Sequence, residues 1–550
     1  MMRPSFSTLT DLYNFATSRY ARRMASGFAD GTSSYSYGQF KDCCDNISRI
    51  LSNFGIGASD KVAILSENMP NWSVAFFAIT AFGRIAIPML PDLSHDEVEN
   101  ILAHSEAKAI FVSRKQLPKL SEDTIKRLNL VIDIADFDFI KATGESYTCD
   151  GKVSVPTPLD IAAILYTSGT TGNAKGVMLS HRNFCFNVLS SWNSFRIKKK
   201  DVFLSILPMA HTYELSIGML YPFAMGARVA YLQKVPTPSV LLSTLKQIRP
   251  TEMLSVPLII EKIYKSSIIP TINGSKFLQF LRDNMAWLLY TLIGIKLRKT
   301  FGGRLKFFGI GGAKLDPTVE AFLKKTGFPY SIGYGLTETA PLICAAPPGK
   351  TKVGSTGKAV PGIEVKLCNI NPETGEGEIS VKGPNVMLGY YKDYDRTSSV
   401  LSHDGWFRTG DLACCDEKGR YSVKGRLGNL ILGASGENIY PEEIENVINS
   451  MDGISESLVI ERDGQLVALV QFNDNVIDWD LEGKDKFIED LEARKKAILE
   501  FVNSRVSKFM KIRSVEVQRE PFTKTATHKI KRFLYTKGDK PDSGKTAGQN

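Results

Sequence analysis

Apolar and polar positions alternate along the chain in a way that predicts a layered α/β protein. Residues 37–54 carry apolar side chains at helical spacing, and 61–65 form a short apolar run of strand length. The pattern repeats as a helix over 72–82, a strand over 85–90, a helix over 96–103 and a strand over 109–112. Strands that alternate with helices of this length read as crossover units around a largely parallel sheet. The same texture runs from 161 to about 346.

Near residue 350 the pattern changes. Gly354, Gly357, Gly362, Gly375, Gly377, Gly383 and Gly389 punctuate short strands such as 364–367 and 378–382, which predicts a β-rich subdomain over about 350–426. A second change follows Gly425-Arg426. There 443–449 reads as a helix, 457–461 and 465–472 as strands, and 485–505 as a long charged helix. The expected organisation is an N-terminal domain over 1–426, a small α+β C-terminal domain over 427–536 and a polar, disordered tail over 537–550.

The composition narrows the function classes. The 550 residues carry a net charge of +10, which favours anionic partners such as nucleotides, acyl carriers or lipid headgroups. No run of five or six like charges and no aromatic-plus-basic nucleic-acid motif is present, so nucleic acid is not an expected partner. The eight cysteines lack C-x-x-C spacing and read as reduced packing residues of a cytoplasmic protein. The N-terminal segment has no signal-peptide core. The most apolar stretches are 74–90, broken by Arg84 and Pro88, and 287–295, which is far shorter than the ~20 residues of a spanning helix. No transmembrane segment is expected.

The sharpest chemical feature is Tyr166-Thr-Ser-Gly-Thr-Thr-Gly-Asn-Ala-Lys-Gly176, directly after the apolar run 161–165. Its glycines let the backbone curl with N–H groups inward, while hydroxyls and one lysine add donors and positive charge, as a polyphosphate cradle requires. It is not a Walker A loop. Gly544-Lys545-Thr546 fails that pattern too, because the first glycine would fall at Asp539.

The loop is followed in order by Leu207-Pro-Met-Ala-His211, Gly311-Gly-Ala-Lys314, Tyr334-Gly-Leu-Thr-Glu338 and Gly405-Trp-Phe-Arg-Thr-Gly-Asp411. Then come Gly425-Arg426, Ser435-Gly-Glu-Asn-Ile-Tyr-Pro441 and Thr525-Ala-Thr-His-Lys-Ile-Lys-Arg532. Motifs, order and spacing together resemble the adenylate-forming superfamily of acyl-CoA synthetases, luciferases and peptide-synthetase adenylation domains, from about Thr8 to Leu534. The resemblance implies a large N-terminal domain, a small mobile C-terminal domain, a hinge just after Arg426 and an active site between the domains.

It also implies roles. Thr167, Ser168, Gly169, Thr170, Thr171, Gly172 and Lys175 would bind the ATP phosphates, with Thr170 and Glu338 holding Mg2+, a hard cation suited to such oxygens. Gly311, Gly312 and Ala313 would form the wall beside adenine, with Tyr334 stacked on the ring and Gly335 beside it. Thr337 would contact the α-phosphate, and Asp411 would accept from the ribose hydroxyls, helped by Arg426. His211 would line the acid pocket and orient the carboxylate. Lys529 would stabilise the charge that builds as pyrophosphate departs. Ser435, Gly436 and Glu437 would help line a CoA tunnel. Two positions depart from the family pattern: Gly428 stands where a charged hinge residue is common, and His528 replaces the glycine before the catalytic lysine.

Leu207-Pro-Met-Ala-His-Thr-Tyr-Glu214 and Gly436-Glu-Asn-Ile-Tyr-Pro-Glu-Glu-Ile-Glu445 resemble the long-chain members in particular. The expected activity is ATP-dependent conversion of a long-chain fatty acid to acyl-AMP and then to acyl-CoA. Alternatives are loading onto acyl carrier protein, a reaction that stops at or oxidises the adenylate, and a non-enzymatic nucleotide- or lipid-binding relic. The basic, apolar segment 268–303 reads either as a packed insertion or as a peripheral membrane contact.

Overall fold

The computed structural model describes residues 5–143, 155–167, 174–234, 237–433, 437–473, 484–525 and 529–536. The tail expected over 537–550 lies outside the described residues, as do His528 and most of the phosphate loop. The chain forms two compact units: residues 1–167, 174–409 and 414–423, and a smaller one comprising 424–550 with the short stretches 168–173 and 410–413.

The larger unit is built on two sheets rather than one. In the thirteen-stranded sheet, Met24–Phe28, Arg228–Tyr231, Val202–Ser205, Glu252–Ser255, Phe307–Ile310 and Tyr330–Gly335 lie side by side and parallel. Leu342–Ala346 and Gly357–Ala359 continue it antiparallel. The glycine-punctuated strands Glu364–Cys368 and Gly377–Lys382 pair antiparallel and belong to this same sheet. The eight-stranded sheet has a parallel centre of Ile161–Thr167, Ile85–Met89, Lys61–Leu65, Ala109–Val112 and Leu130–Asp133.

Helix starts follow local chemistry. Ser36, Ser94 and Ser180 cap the helices Tyr37–Asn53, His95–Ser105 and His181–Ser194 with reciprocal side-chain and backbone bonds. Pro70–Thr80 is buried at every position, which explains why its sequence is apolar all round. Arg84, which interrupts that apolar stretch, is buried but satisfied: its Nε donates to Ile56 O at 2.8 Å and its Nη1 to Ser48 Oγ at 2.9 Å. Among the described residues no helix is long and apolar enough to cross a membrane.

The smaller unit has its own core. Ile454–Arg462 and Gln465–Phe472 pair antiparallel, and Ser514–Val517 adds in parallel. Ile444 and Ile448 of the helix Pro441–Asn449 and Ile498 and Val502 of Lys484–Asn503 pack with Val459, Ala468 and Val470 of the sheet.

Candidate active site

The sequence motifs of the larger unit converge at the carboxyl ends of parallel strands, where open α/β sheets bind ligands. His211 follows Val202–Ser205, Gly311-Gly312-Ala313 follow Phe307–Ile310, and Thr337-Glu338 follow Tyr330–Gly335. In the second sheet the strands Ile161–Thr167 and Lys175–Ser180, which flank the expected phosphate loop, pair antiparallel: Thr167 lies opposite Lys175 and Tyr166 opposite Gly176. Both stems are thus fixed by a ladder. Ser168, Gly169, Thr170, Thr171 and Gly172, assigned to phosphate and Mg2+ binding, lie outside the described residues.

A residue that sequence reasoning missed connects this loop to Glu338. The short strand Gly389–Tyr390 pairs with Lys175–Ser180, placing Tyr390 opposite Val177. Its hydroxyl donates to Glu338 Oε1 at 2.9 Å, and Lys175 Nζ lies 5.3 Å from its ring centroid. Tyr390 therefore touches both the proposed phosphate lysine and the proposed ion-holding carboxylate. Met387 N–H donates to Glu338 O at 2.9 Å, which fixes the backbone as well.

Two buried asparagines of His181–Ser194 hold the same region from behind. Asn183 Nδ2 donates to Pro384 O and Val386 O, both at 2.8 Å. Asn187 Nδ2 donates to Thr339 O at 3.1 Å, and its Oδ1 accepts from Leu342 N–H at 2.9 Å. Spacing by one helical turn lets them clamp the segments that carry Tyr390 and Glu338. The sequence signal was a polar stripe, Asn183, Asn187, Ser190 and Ser191, which reads as a solvated face although all four are buried.

At the expected adenine wall, Gly312 has φ +86°, a conformation that favours glycine. Tyr213, also missed, lies against Gly311: a Cβ there would stand 3.3 Å from its ring. Tyr334, on the neighbouring strand, is half-buried. Gly335 has a packing reason of its own, since a Cβ would fall 1.7 Å from Pro341 O. His211 is half-buried in a turn whose backbone is pinned by Asn68, which donates to Leu207 O at 2.6 Å and accepts from Met209 N–H at 2.9 Å. Leu207 and Tyr213 pack with Phe195, Ile217, Leu254 and Phe307, giving this edge an apolar wall.

Glu214, three residues after His211, is buried, and burial pushes its carboxyl up to about 8. Its Oε2 has no hydrogen-bond partner. Gly218 makes the room, for a Cβ there would meet the carboxyl carbon at 2.7 Å. Glu214 opens the π-helical segment Glu214–Leu220.

In the smaller unit, Asp411 is buried and Arg426 Nε lies 3.0 Å from its Oδ1, so the two residues assigned to the ribose do meet. Lys529 is exposed, and its backbone is tied to Thr525 by a 2.8 Å bond to Lys529 O and a 3.2 Å bond from Lys529 N–H to Thr525 Oγ1. Two cations near it are neutralised: Lys524 pairs with Glu456 at 2.6 Å, and Arg532 pairs with Glu445. Ser435 and Gly436 lie outside the described residues, and Glu437 O accepts from Gly433 N–H at 2.8 Å. A Cβ on Gly428 would meet open space.

The described residues contain no cluster of three His, Cys, Asp or Glu side chains able to hold a metal. Mg2+ does not require one, since it keeps several waters and binds through one or two carboxylates plus substrate phosphates. Glu338, its other carboxylate oxygen oriented by Tyr390, fits that use.

Known proteins resemble this chain over most of its length. The family described as AMP-binding enzyme matches residues 15–391. The peroxisomal long chain acyl-CoA synthetase 7 of Arabidopsis thaliana is 30% identical over 96% of this chain and 85% of its own length. The long-chain-fatty-acid–CoA ligase 1 of Cavia porcellus is 26% identical over 89% and 78%. Among solved structures, an anthranilate CoA ligase in complex with anthranoyl-AMP has a TM-score of 0.77 at 20% identity, covering 97% of each chain. The o-succinylbenzoate CoA synthetase of Bacillus subtilis in complex with ATP and magnesium has a TM-score of 0.73 at 22% identity, covering 94% and 98%. These two share the fold. The chain belongs to the AMP-binding, adenylate-forming enzyme family and is most like its long-chain fatty acid–CoA ligases.

Proposed function

We propose that this protein converts a long-chain fatty acid to acyl-AMP and then transfers the acyl group to CoA. The coarser part, an AMP-forming acid–thiol ligase, follows from family membership. The observation that supports the reading is the contiguous set Lys175, Tyr390 and Glu338, in which the lysine lies over the tyrosine ring and the tyrosine hydroxyl donates to the carboxylate. The chain-length assignment is supported by the names of the relatives and by the apolar wall around Leu207 and Tyr213.

In the first half-reaction a carboxylate oxygen attacks the α-phosphorus of ATP in line, and pyrophosphate leaves. Lys175 and the loop hydroxyls position the phosphates, Thr337 contacts the α-phosphate, and His211 orients the acid. Lys529 supplies positive charge to the departing oxygen. Glu338 and Thr170 would hold Mg2+, which neutralises phosphate charge when bound. In the second half-reaction the CoA sulfur attacks the acyl carbonyl carbon, and AMP leaves. Asp411 and Arg426 keep the ribose in place through both steps, and Ser435, Gly436 and Glu437 help guide the thiol.

The test is pyrophosphate release with acids from acetate to about C20, each with CoA or acyl carrier protein as acceptor. Release that depends on a long-chain acid, with acyl-CoA as product, is expected. Transfer to the carrier protein alone would replace the acceptor, and no release with any acid would leave only a nucleotide- or lipid-binding role. Lys529→Ala should slow adenylation by roughly 10²–10³-fold yet still allow thiolysis of supplied acyl-adenylate. Unimpaired adenylation in that variant would refute the role.

A further inference from the structure

The strand Glu252–Ser255 is followed by a helical excursion: Pro257–Ile263, Tyr264–Ile268, Ile269–Asn273, Lys276–Asn284 and Ala286–Thr300. It begins beside the candidate site, for Val256 lies 3.7 Å from where a Cβ on Gly312 would stand. Its last three helices share a small core of Ile272, Leu281 and Leu289.

The outer face is unusual for a surface. Trp287 is 69% exposed, Leu258 69%, Phe277 65%, Ile295 61% and Phe280 56%. The helix Ala286–Thr300 is apolar nearly all round up to Ile295 and basic beyond it, yet only Leu289, Gly294 and Leu297 are buried. Ile295 lies on the side opposite that buried stripe, and Trp287 stands exposed in the first turn of the helix. At 15 residues the helix is about 22 Å long, too short to span a bilayer core of about 30 Å.

The charge is as one-sided as the apolarity. Residues 257–304 hold eight Lys and Arg against two acids, Glu261 and Asp283, so +6 of the chain's +10 sits in this excursion. Asp283 is already paired with Arg282 at 2.8 Å, and Glu261 accepts from Asp316 N–H at 2.9 Å. Lys276, Lys296 and Lys299 are exposed alongside the aromatic side chains.

We propose that the excursion 257–304 docks the protein on an anionic membrane surface, with Phe277, Phe280, Trp287 and Ile295 at the headgroup–acyl boundary and Lys276, Lys296 and Lys299 against lipid phosphates. Apolar and aromatic side chains with a basic fringe on helices too short to span are the composition of an interfacial anchor. The charge favours phosphates over a protein partner: eight cations stand against two carboxylates, both already engaged, whereas protein interfaces carry charges of mixed sign. The purpose of the surface rests on the long-chain reading: such acids partition into bilayers, and the excursion joins the bilayer to the site edge.

The experiment is vesicle flotation of the full chain with phosphatidylcholine alone or mixed with phosphatidylglycerol. Wild type should float with the anionic vesicles and lose most of that binding at high salt or without phosphatidylglycerol. Trp287→Ser/Ile295→Ser and Lys296→Glu/Lys299→Glu should each bind about tenfold more weakly or less, with unchanged melting curves. Absence of wild-type binding, equal binding by folded variants, or capture of acyl carrier protein instead of vesicles through these same residues would overturn the proposal. Flotation needs no turnover. A chain that floats but releases no pyrophosphate would refute the ligase reading alone, and a ligase that does not float would refute the docking surface alone.

Discussion

Tyr390 is the residue whose replacement tests the site most directly. Tyr390→Phe keeps the ring beside Lys175 and removes the 2.9 Å bond to Glu338. A hydrogen bond to a charged group contributes about 1.5–3 kcal/mol, so ATP binding should need roughly 10–100-fold more Mg2+, as read by calorimetric titration at several Mg2+ concentrations. A Mg2+ dependence equal to wild type would remove Tyr390 from the positioning role. Glu214 makes a second prediction, in pH. Its carboxyl stays protonated in the fold up to about 8, against an ordinary value of 4.5. Between those values the unfolded chain has already released the proton, so stability falls as pH rises, by at most ~1.4 kcal/mol per unit. Glu214→Gln lacks that release. Its melting midpoint should gain on wild type as pH goes from 5 to 8. Glu214 itself stood in the sequence as part of a motif, but a carboxyl at that spacing gives no sign of its burial. Lys175, Glu338, Asp411 and Lys529 drew attention in the sequence because each sits in a run whose residue types and order are distinctive; their roles are proposals. Tyr390, Asn183, Asn187 and Tyr213 were not. Their roles arise from contacts across long stretches of chain, and the first of two tyrosines after Gly389 carries no local mark of what it faces.

Elements were legible where periodicity was strong. The strands 61–65, 109–112 and 465–472 have the same bounds in sequence and structure. The helix expected over 37–54 is Tyr37–Asn53. What periodicity could not say is which strands become neighbours, so the split into two sheets and the antiparallel pairing of Ile161–Thr167 with Lys175–Ser180 emerged only from the structure. Gly335 shows the same limit. Its place in Tyr334-Gly-Leu-Thr-Glu338 suggested proximity to the nucleotide, while the structure adds a backbone reason, the carbonyl of Pro341 at 1.7 Å from any Cβ. Gly335→Ala must push the strands Tyr330–Gly335 and Leu342–Ala346 apart, a strain of about 1–3 kcal/mol or more. The expected outcome is a lower melting midpoint together with loss of ATP binding. A variant that melts like wild type would show that the strand end yields easily.

For the whole molecule, each unit has a core of its own, and the reaction is proposed to use residues from both. Gly428 follows the Asp411–Arg426 pair and has open space where a side chain would go. Gly428→Ala should therefore leave the melting midpoint unchanged or slightly higher, since alanine at a compatible position restricts the unfolded chain. If this glycine serves as the hinge that the family resemblance implies, thioester formation should slow relative to adenylation in a comparison of the two half-reactions. Equal effects on both would place the pivot elsewhere.

The pairing of Gly389–Tyr390 with Lys175–Ser180 also bears on how the protein is made. The two partners are roughly 200 residues apart in the chain, and at roughly 5–20 residues per second the ribosome takes on the order of 10–40 s to go from one to the other. Throughout that interval the nascent Lys175–Ser180 strand has one edge without its neighbour, beside a phosphate loop that still lacks Tyr390. Open strand edges are templates for wrong pairing. Synthesis of the chain thus passes through a period in which this edge is open to wrong pairing, and slower translation before residue 389 should lower the yield of soluble protein.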